Sequence, residues 1–138
     1  MKNYTPRGLR NCNPLNIKRS HSLFQGLADE QTDPVFYRFK TMAWGYRAAF
    51  ITLRTYIQKH GICTVREIIN RWAPPGDRND TAHYIKMVCC LTGFKADDIM
   101  DPYDSRKMIP LVCAMSRIEN GERACIKDVT EGWQRYMG

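Results

Sequence analysis

From residue 44 to residue 60 the apolar side chains return at helical spacing, with Tyr46, Ala49, Phe50, Leu53 and Ile57 on one stripe and Gly61 as the stop. That pattern predicts a helix. Residues 15–18 and 35–39 alternate instead, and in the second run Val35, Tyr37 and Phe39 fall on one side and Phe36 and Arg38 on the other. A period of two predicts two short strands, joined as a small hairpin or sheet. The stretch between them, residues 26–34, is polar, carries Asp29, Glu30 and Asp33, and ends in Pro34, which makes it a loop.

Three further helices follow from their end signals, and a fifth from its stripe. Thr64 and Glu67 make a capping box ahead of Ile68, Ile69 and Trp72, and Pro74-Pro75 ends that helix. Asn79-Asp80-Thr81 caps the next, which runs to about Thr92 with Ile85, Val88 and Leu91 inward and Gly93 as terminator. A fourth spans residues 104–119, with Pro110 expected to kink it or delay its start. The last spans residues 123–136, with Ile126, Val129, Trp133 and Tyr136 on one stripe. The sum is an α+β chain, predominantly helical, of about five helices behind a small N-terminal β-hairpin or sheet, forming one domain over residues 1–138.

Composition narrows the class without naming a function. With 43% hydrophobic and 25% charged residues the chain has ordinary globular composition, which excludes a disordered tail or a membrane protein. Residues 1–7 are basic but no apolar run follows, so the reading is a cytoplasmic product without a signal peptide. The six cysteines at 12, 63, 89, 90, 113 and 125 read as free, mostly buried thiols, because a chain of this size needs no disulfide framework. His60 and Cys63 are too few for a metal site, and no motif asks for a cofactor. A net charge of +7 favours an anionic partner, either nucleic acid or an acidic polymer such as the cell wall.

The candidate chemistry centres on Glu119. It lies four residues after Met115 and seven after Val112, inside the apolar arc of its helix, with Asn120-Gly121 ending the helix just beyond. A carboxyl so placed faces the core or a cleft beside it, and a carboxyl against an apolar wall tends to keep its proton, as a general acid must. A plain ion pair with Arg117 or Arg123 explains it equally well. Glycosidic cleavage also needs a carboxylate or a positioned water across the sugar, and Glu30 and Asp33 in the loop are the candidates. Asp33 before Pro34 is equally a turn residue. Asn11, Asn13 and Asn16 offer amides suited to sugar hydroxyls and acetamido groups, although asparagines beside Pro14 also simply make turns. Tyr84, Trp72 and Trp44 are stacking candidates or core aromatics.

Six ordered blocks together resemble a family of phage virion-associated lysis proteins, often labelled structural proteins, within the lysozyme-like superfamily. They are Arg7-Gly8-Leu9-Arg10-Asn11-Cys12-Asn13-Pro14-Leu15-Asn16-Ile17, Gln31-Thr32-Asp33-Pro34, Gly45-Tyr46-Arg47-Ala48, Ile68-Ile69-Asn70-Arg71-Trp72-Ala73-Pro74-Pro75, Asn79-Asp80-Thr81 with Tyr84-Ile85, and Ile118-Glu119-Asn120-Gly121. Their order also resembles a rearranged glucosaminidase or transglycosylase, in which the helix ending in Glu precedes the Asn-rich segment. The resemblance implies a peptidoglycan hydrolase, whether muramidase, lytic transglycosylase or glucosaminidase. In that reading Glu119 is the acid, Asp33 or Glu30 lies across the cleft, and Asn11, Asn13, Asn16, Tyr84, Trp72 and Asp80 bind substrate.

Three positions depart from the family pattern. Cys12 stands where Asn is usual and Leu15 where Gly is usual, so the turn is expected to need no positive φ. Arg78 stands where an acidic residue is common, so no carboxylate at that position serves here. The implied partners are peptidoglycan and phage virion proteins, with neither nucleic acid nor membrane. The rival readings are a non-catalytic virion structural or wall-binding protein and a cell-wall endopeptidase on the same fold.

Overall fold

The structure, a computed structural model, describes residues 5–138. Residues 1–4, on which part of the signal-peptide reading rests, lie outside the described residues. Among those described, the elements are α1 (Arg7–Arg10), α2 (Met42–His60), α3 (Val65–Trp72), a 3-10 turn (Pro75–Asp77), α4 (Thr81–Thr92), α5 (Ser105–Asn120) and α6 (Ile126–Met137).

The end signals in the sequence act as the chemistry requires. Thr64 accepts from the Glu67 amide while the Glu67 side chain accepts from the Thr64 amide, so two donors that a helix start leaves orphaned are satisfied at once. Asp80 accepts from the His83 amide and Asp104 from the Arg106 amide. Gly61, Gly93 and Gly121 close α2, α4 and α5 in the left-handed region. Pro110 does not delay the start of α5, which begins five residues earlier at Ser105 and continues to Asn120. α6 begins at Ile126, three residues later than the stripe predicts. No described helix is long and apolar enough to cross a membrane.

Helices α2 to α6 enclose the main core, in which Phe50, Leu53, Ile68, Ile69, Val88, Met108 and Met115 are fully buried. α2 and α6 pack along each other, with Phe50 edge-on to Trp133 at 5.0 Å and stacked on Tyr136 at 5.6 Å. A smaller cluster of Ile17, Tyr37, Phe39 and Ala48 joins the N-terminal third to α2, with Phe24, Leu27, Trp44 and Trp72 packed on it.

The expected hairpin is not there, and the fold is all-helical among the described residues instead of α+β. The alternating segments meet at a single antiparallel bridge, Lys18 with Phe36, where the Arg19 amide donates to the Val35 carbonyl and the Tyr37 amide to the Ile17 carbonyl, and Phe39 pairs instead with Leu27 of the loop between them. The physical reason is that side chains occupy several of the backbone groups that would extend this bridge into a ladder. Asp33 Oδ1 accepts from the amides of Val35 and Phe36, and Gln31 Oε1 from that of Arg38. Asn13 donates to the carbonyls of Ile17 and Tyr37 while its Oδ1 accepts from the Ile17 amide. In addition, Asn16 is left-handed at φ 53°, which breaks the extended run. Alternation still describes burial, since Tyr37 and Phe39 are buried while Arg38 is half-exposed. Val35, expected on the same side as Tyr37, is exposed because it sits in the Asp33 turn.

Two smaller expectations are also corrected. A short helix, α1 over Arg7–Arg10, precedes the five that were expected. The thiols are free but not mostly buried: Cys12, Cys63, Cys89 and Cys113 are half-buried, and Cys90 and Cys125 are exposed.

Candidate functional site

Glu119 sits in the last turn of α5, and the residues on both sides of it fix that turn. Asn120 donates from Nδ2 to the carbonyls of Pro14 at 2.8 Å and Ser116 at 2.9 Å, which ties the end of α5 to the N-terminal segment. Ser116 in turn meets the buried Tyr46 hydroxyl of α2 at 2.8 Å. The turn at residues 11–16 carries Cys12 at φ 50° and Asn16 at φ 53°, so it does require positive φ, at Cys12 and Asn16 and not at Leu15. An asparagine tolerates that region better than a branched side chain does. Gly8 lies beneath this turn, and a Cβ there would collide with Asn120 Oδ1 and crowd Asn16 Oδ1.

Two donors hold the carboxylate. Asn16 Nδ2 donates to Glu119 Oε1 and the Tyr84 hydroxyl to Oε2, both at 3.0 Å. A carboxylate has about four lone-pair sites, so each oxygen keeps one free. Tyr84 projects from α4 and is only 8% exposed. Burial first, and then the charge and hydrogen bond of Glu119, push its phenol far above the ordinary tyrosine range. It therefore stays a neutral hydroxyl that can donate to the carboxylate or accept from the protonated acid.

Glu119 lines a groove of about 1030 Å³. One side is α2, which contributes Arg47, Ile51, Thr52, Thr55 and Tyr56. The end of α3, the 3-10 turn and the segment leading from it to α4 add Arg71, Trp72, Asp77 and Asn79, and the N-terminal segment adds Asn16, Lys18, Phe24 and Phe36. Trp72 lines the groove half-buried, with its ring centroid 6.2 Å from that of Tyr56.

The other candidate residues lie elsewhere. Asp33 does not line the groove: Arg7 grips it through two hydrogen bonds of 2.6 Å, and Asn11 Nδ2 adds a third at 3.0 Å. The Arg7 hydrogen bond, aided by the Phe36 and Val35 amides and by Asn11 against the opposing effect of burial, holds its carboxyl far below the usual range. Glu30 is exposed and also lies outside the groove. Asn11 and Asn13 are buried and spend their amides on Asp33 and on the backbone, while Asp80 caps α4. Of the residues singled out in the sequence, Glu119, Asn16 and Trp72 line the groove, and Tyr84 reaches Glu119 from α4.

Sequence reading passed over Arg47, Arg71 and Asp77. Arg47 and Arg71 were visible only as members of ordered blocks, and nothing in their spacing separates them from surface charge. Asp77 stands one residue before Arg78, beside the position where a carboxylate was expected and missed.

No family model matches the chain. Protein P5 of Pseudoalteromonas phage PM2 is 38% identical to it over 122 residues, a match covering 86% of this chain and 74% of that protein.

Proposed function

This chain belongs to the family of Protein P5 of Pseudoalteromonas phage PM2, and we propose that it is a phage peptidoglycan hydrolase that cleaves cell-wall glycan with Glu119 as general acid. The observation that carries this reading is the Glu119 carboxyl, held by Asn16 and Tyr84 at the wall of a groove of about 1030 Å³. In the proposed step the protonated Glu119 gives its proton to the glycosidic oxygen as the bond from that oxygen to the anomeric carbon breaks, and a water adds to the anomeric carbon and releases the proton that restores the acid. Asn16 keeps the carboxyl oriented, and Tyr84 follows the change of charge by switching from acceptor to donor. Trp72 offers an apolar face to a sugar ring, and Asn79, Thr52 and Thr55 offer polar groups to its hydroxyls.

Kinship with a phage protein favours a second reading on its own terms: a non-catalytic virion or wall-binding protein in which the same groove holds glycan without cutting it. One experiment separates the two. Purified peptidoglycan is incubated with the wild type and with Glu119→Gln, clearing is followed by turbidity, and the fragments are identified by mass. Loss of a general acid lowers the rate by about 10²–10⁴-fold in a folded variant. Equal clearing by both proteins removes Glu119 from the chemistry, and intact glycan with both supports the second reading.

A further inference from the structure

The groove carries more positive charge than its shape requires, and that charge has no partner in the fold. Lys18, Arg47 and Arg71 line it from three different segments, against the carboxylates of Asp77 and Glu119, and Glu119 is already bonded to Asn16 and Tyr84. Among the described residues the ion pairs are Arg7 with Asp33, Arg66 with Asp97, and Arg106 with Asp104, so none of the groove's three cations is neutralised. Arg47 is half-buried over the Trp44 ring at 5.9 Å. Burial, reinforced by the neighbouring charge of Arg54, disfavours its charged form. A guanidinium taken partly out of water beside a like charge is a cost to the fold that an anion in the groove would offset.

The placement is ordered along one helix. Arg47, Ile51, Thr52, Thr55 and Tyr56 recur at helical spacing on the groove side of α2, a stripe about 13 Å long at 1.5 Å per residue. Arg71 lies over the Tyr56 ring at 5.7 Å, at the far end of that stripe. Two guanidinium groups thus bracket a run of hydroxyl and apolar groups, and guanidinium is the side chain whose fork best matches a carboxylate.

We propose that Arg47 and Arg71 are specificity-determining residues that seat a carboxylate carried by the glycan, so that the groove selects an acid-bearing glycan over a neutral one. This rests on the glycan reading of the groove and does not require that the glycan be cut. The carboxylate has two sources in cell wall, the acid ether on alternate sugars and the attached peptides, and the test distinguishes them.

Binding is measured by calorimetry on the Glu119→Gln protein with three soluble oligomers of equal length: a neutral N-acetylglucosamine oligomer, wall glycan stripped of its peptides, and wall glycan with peptides attached. The expected result is at least tenfold tighter binding of the stripped glycan than of the neutral one, about 1.4 kcal/mol. The preference should shrink with added salt and vanish when Arg47→Gln and Arg71→Gln are introduced together. Arg47→Lys in an otherwise Arg71-intact protein should keep part of it, and thermal melts confirm that each variant is folded. A preference seen only with peptides attached supports the proposal and assigns the carboxylate to the peptides. Equal affinity for all three oligomers, or a preference that survives loss of both arginines, overturns it. Clearing of whole wall by the wild type, lost in Glu119→Gln, would keep the hydrolase reading standing in that case, and no binding of any oligomer together with no clearing would remove both.

Discussion

The main core and the smaller N-terminal cluster are held together by opposite means. In the main core Phe50, Leu53, Ile68, Val88 and Met115 are buried on helices whose backbone groups satisfy one another, so side chains are free to supply only apolar contact. Around Ile17, Tyr37 and Phe39 the backbone has no ladder, and the side chains of Asn13, Gln31 and Asp33 bind the amides and carbonyls that regular structure would have paired. Polar side chains there do the work of a sheet. Glu119 stands where the two regions meet, on the last turn of a core helix but held by Asn16 from the irregular segment. A site built this way takes its rigidity from the helices and its hydrogen-bond geometry from the loop.

The sharpest way to break this contrast is to damage each side separately. Phe50→Ala removes a fully buried ring that packs on Trp133 and Tyr136, and should cost about 3–5 kcal/mol of stability. In urea the midpoint should fall with no change in slope, and fluorescence and circular dichroism should move together. Separate transitions by the two probes would show that the regions unfold independently. Asn13→Ala should cost less, about 2–3 kcal/mol, because it strips three hydrogen bonds from buried backbone groups of Ile17 and Tyr37. Hydrogen exchange should then speed up at the amides of Ile17, Tyr37 and Phe39 while α2 and α6 stay protected. Equal loss of protection along α2 would mean that the irregular third is part of the same cooperative unit, and the contrast would fail.

The same difference explains what could be read from the sequence. Helix ends were legible because caps are local: Thr64 with Glu67, Asp80, Gly61, Gly93 and Gly121 act within a few residues of their own position. The irregular third was misread because its organisation is not local. Alternation at Val35, Phe36, Tyr37, Arg38 and Phe39 reports which side chains are covered, and says nothing of whether the backbone pairs with another strand or with Asp33 and Gln31. Glu119 stood out as a carboxyl in an apolar arc, a signal carried by its own helix. Its partner Asn16 lies 103 residues away in the chain, and the grouping of Arg47, Arg71 and Asp77 in one groove depends on how α2 and the end of α3 are set against the N-terminal segment.

The smallest effect is expected from Asp33, and in the wild type it appears only as the medium is acidified. Its carboxyl is held below the usual range by Arg7 first, then by the Phe36 and Val35 amides and by Asn11, with burial working the other way. A group depressed in the folded state adds stability that is complete above its unfolded value, about 3.9, and is lost as the pH falls below that toward its folded value. Exchange at the amides of Val35 and Phe36 should therefore be steady from neutrality down to about pH 4, once intrinsic exchange is corrected for, and speed up below it. Asp33→Asn keeps an oxygen for those amides but loses the charge that grips Arg7, while the stacking of Arg7 on Phe36 at 4.6 Å survives. The variant should accordingly start less protected at neutral pH and show a flatter profile below pH 4. An unchanged acid slope in the variant would mean that another carboxylate holds this segment, and the account of Asp33 as its charged pin would be wrong.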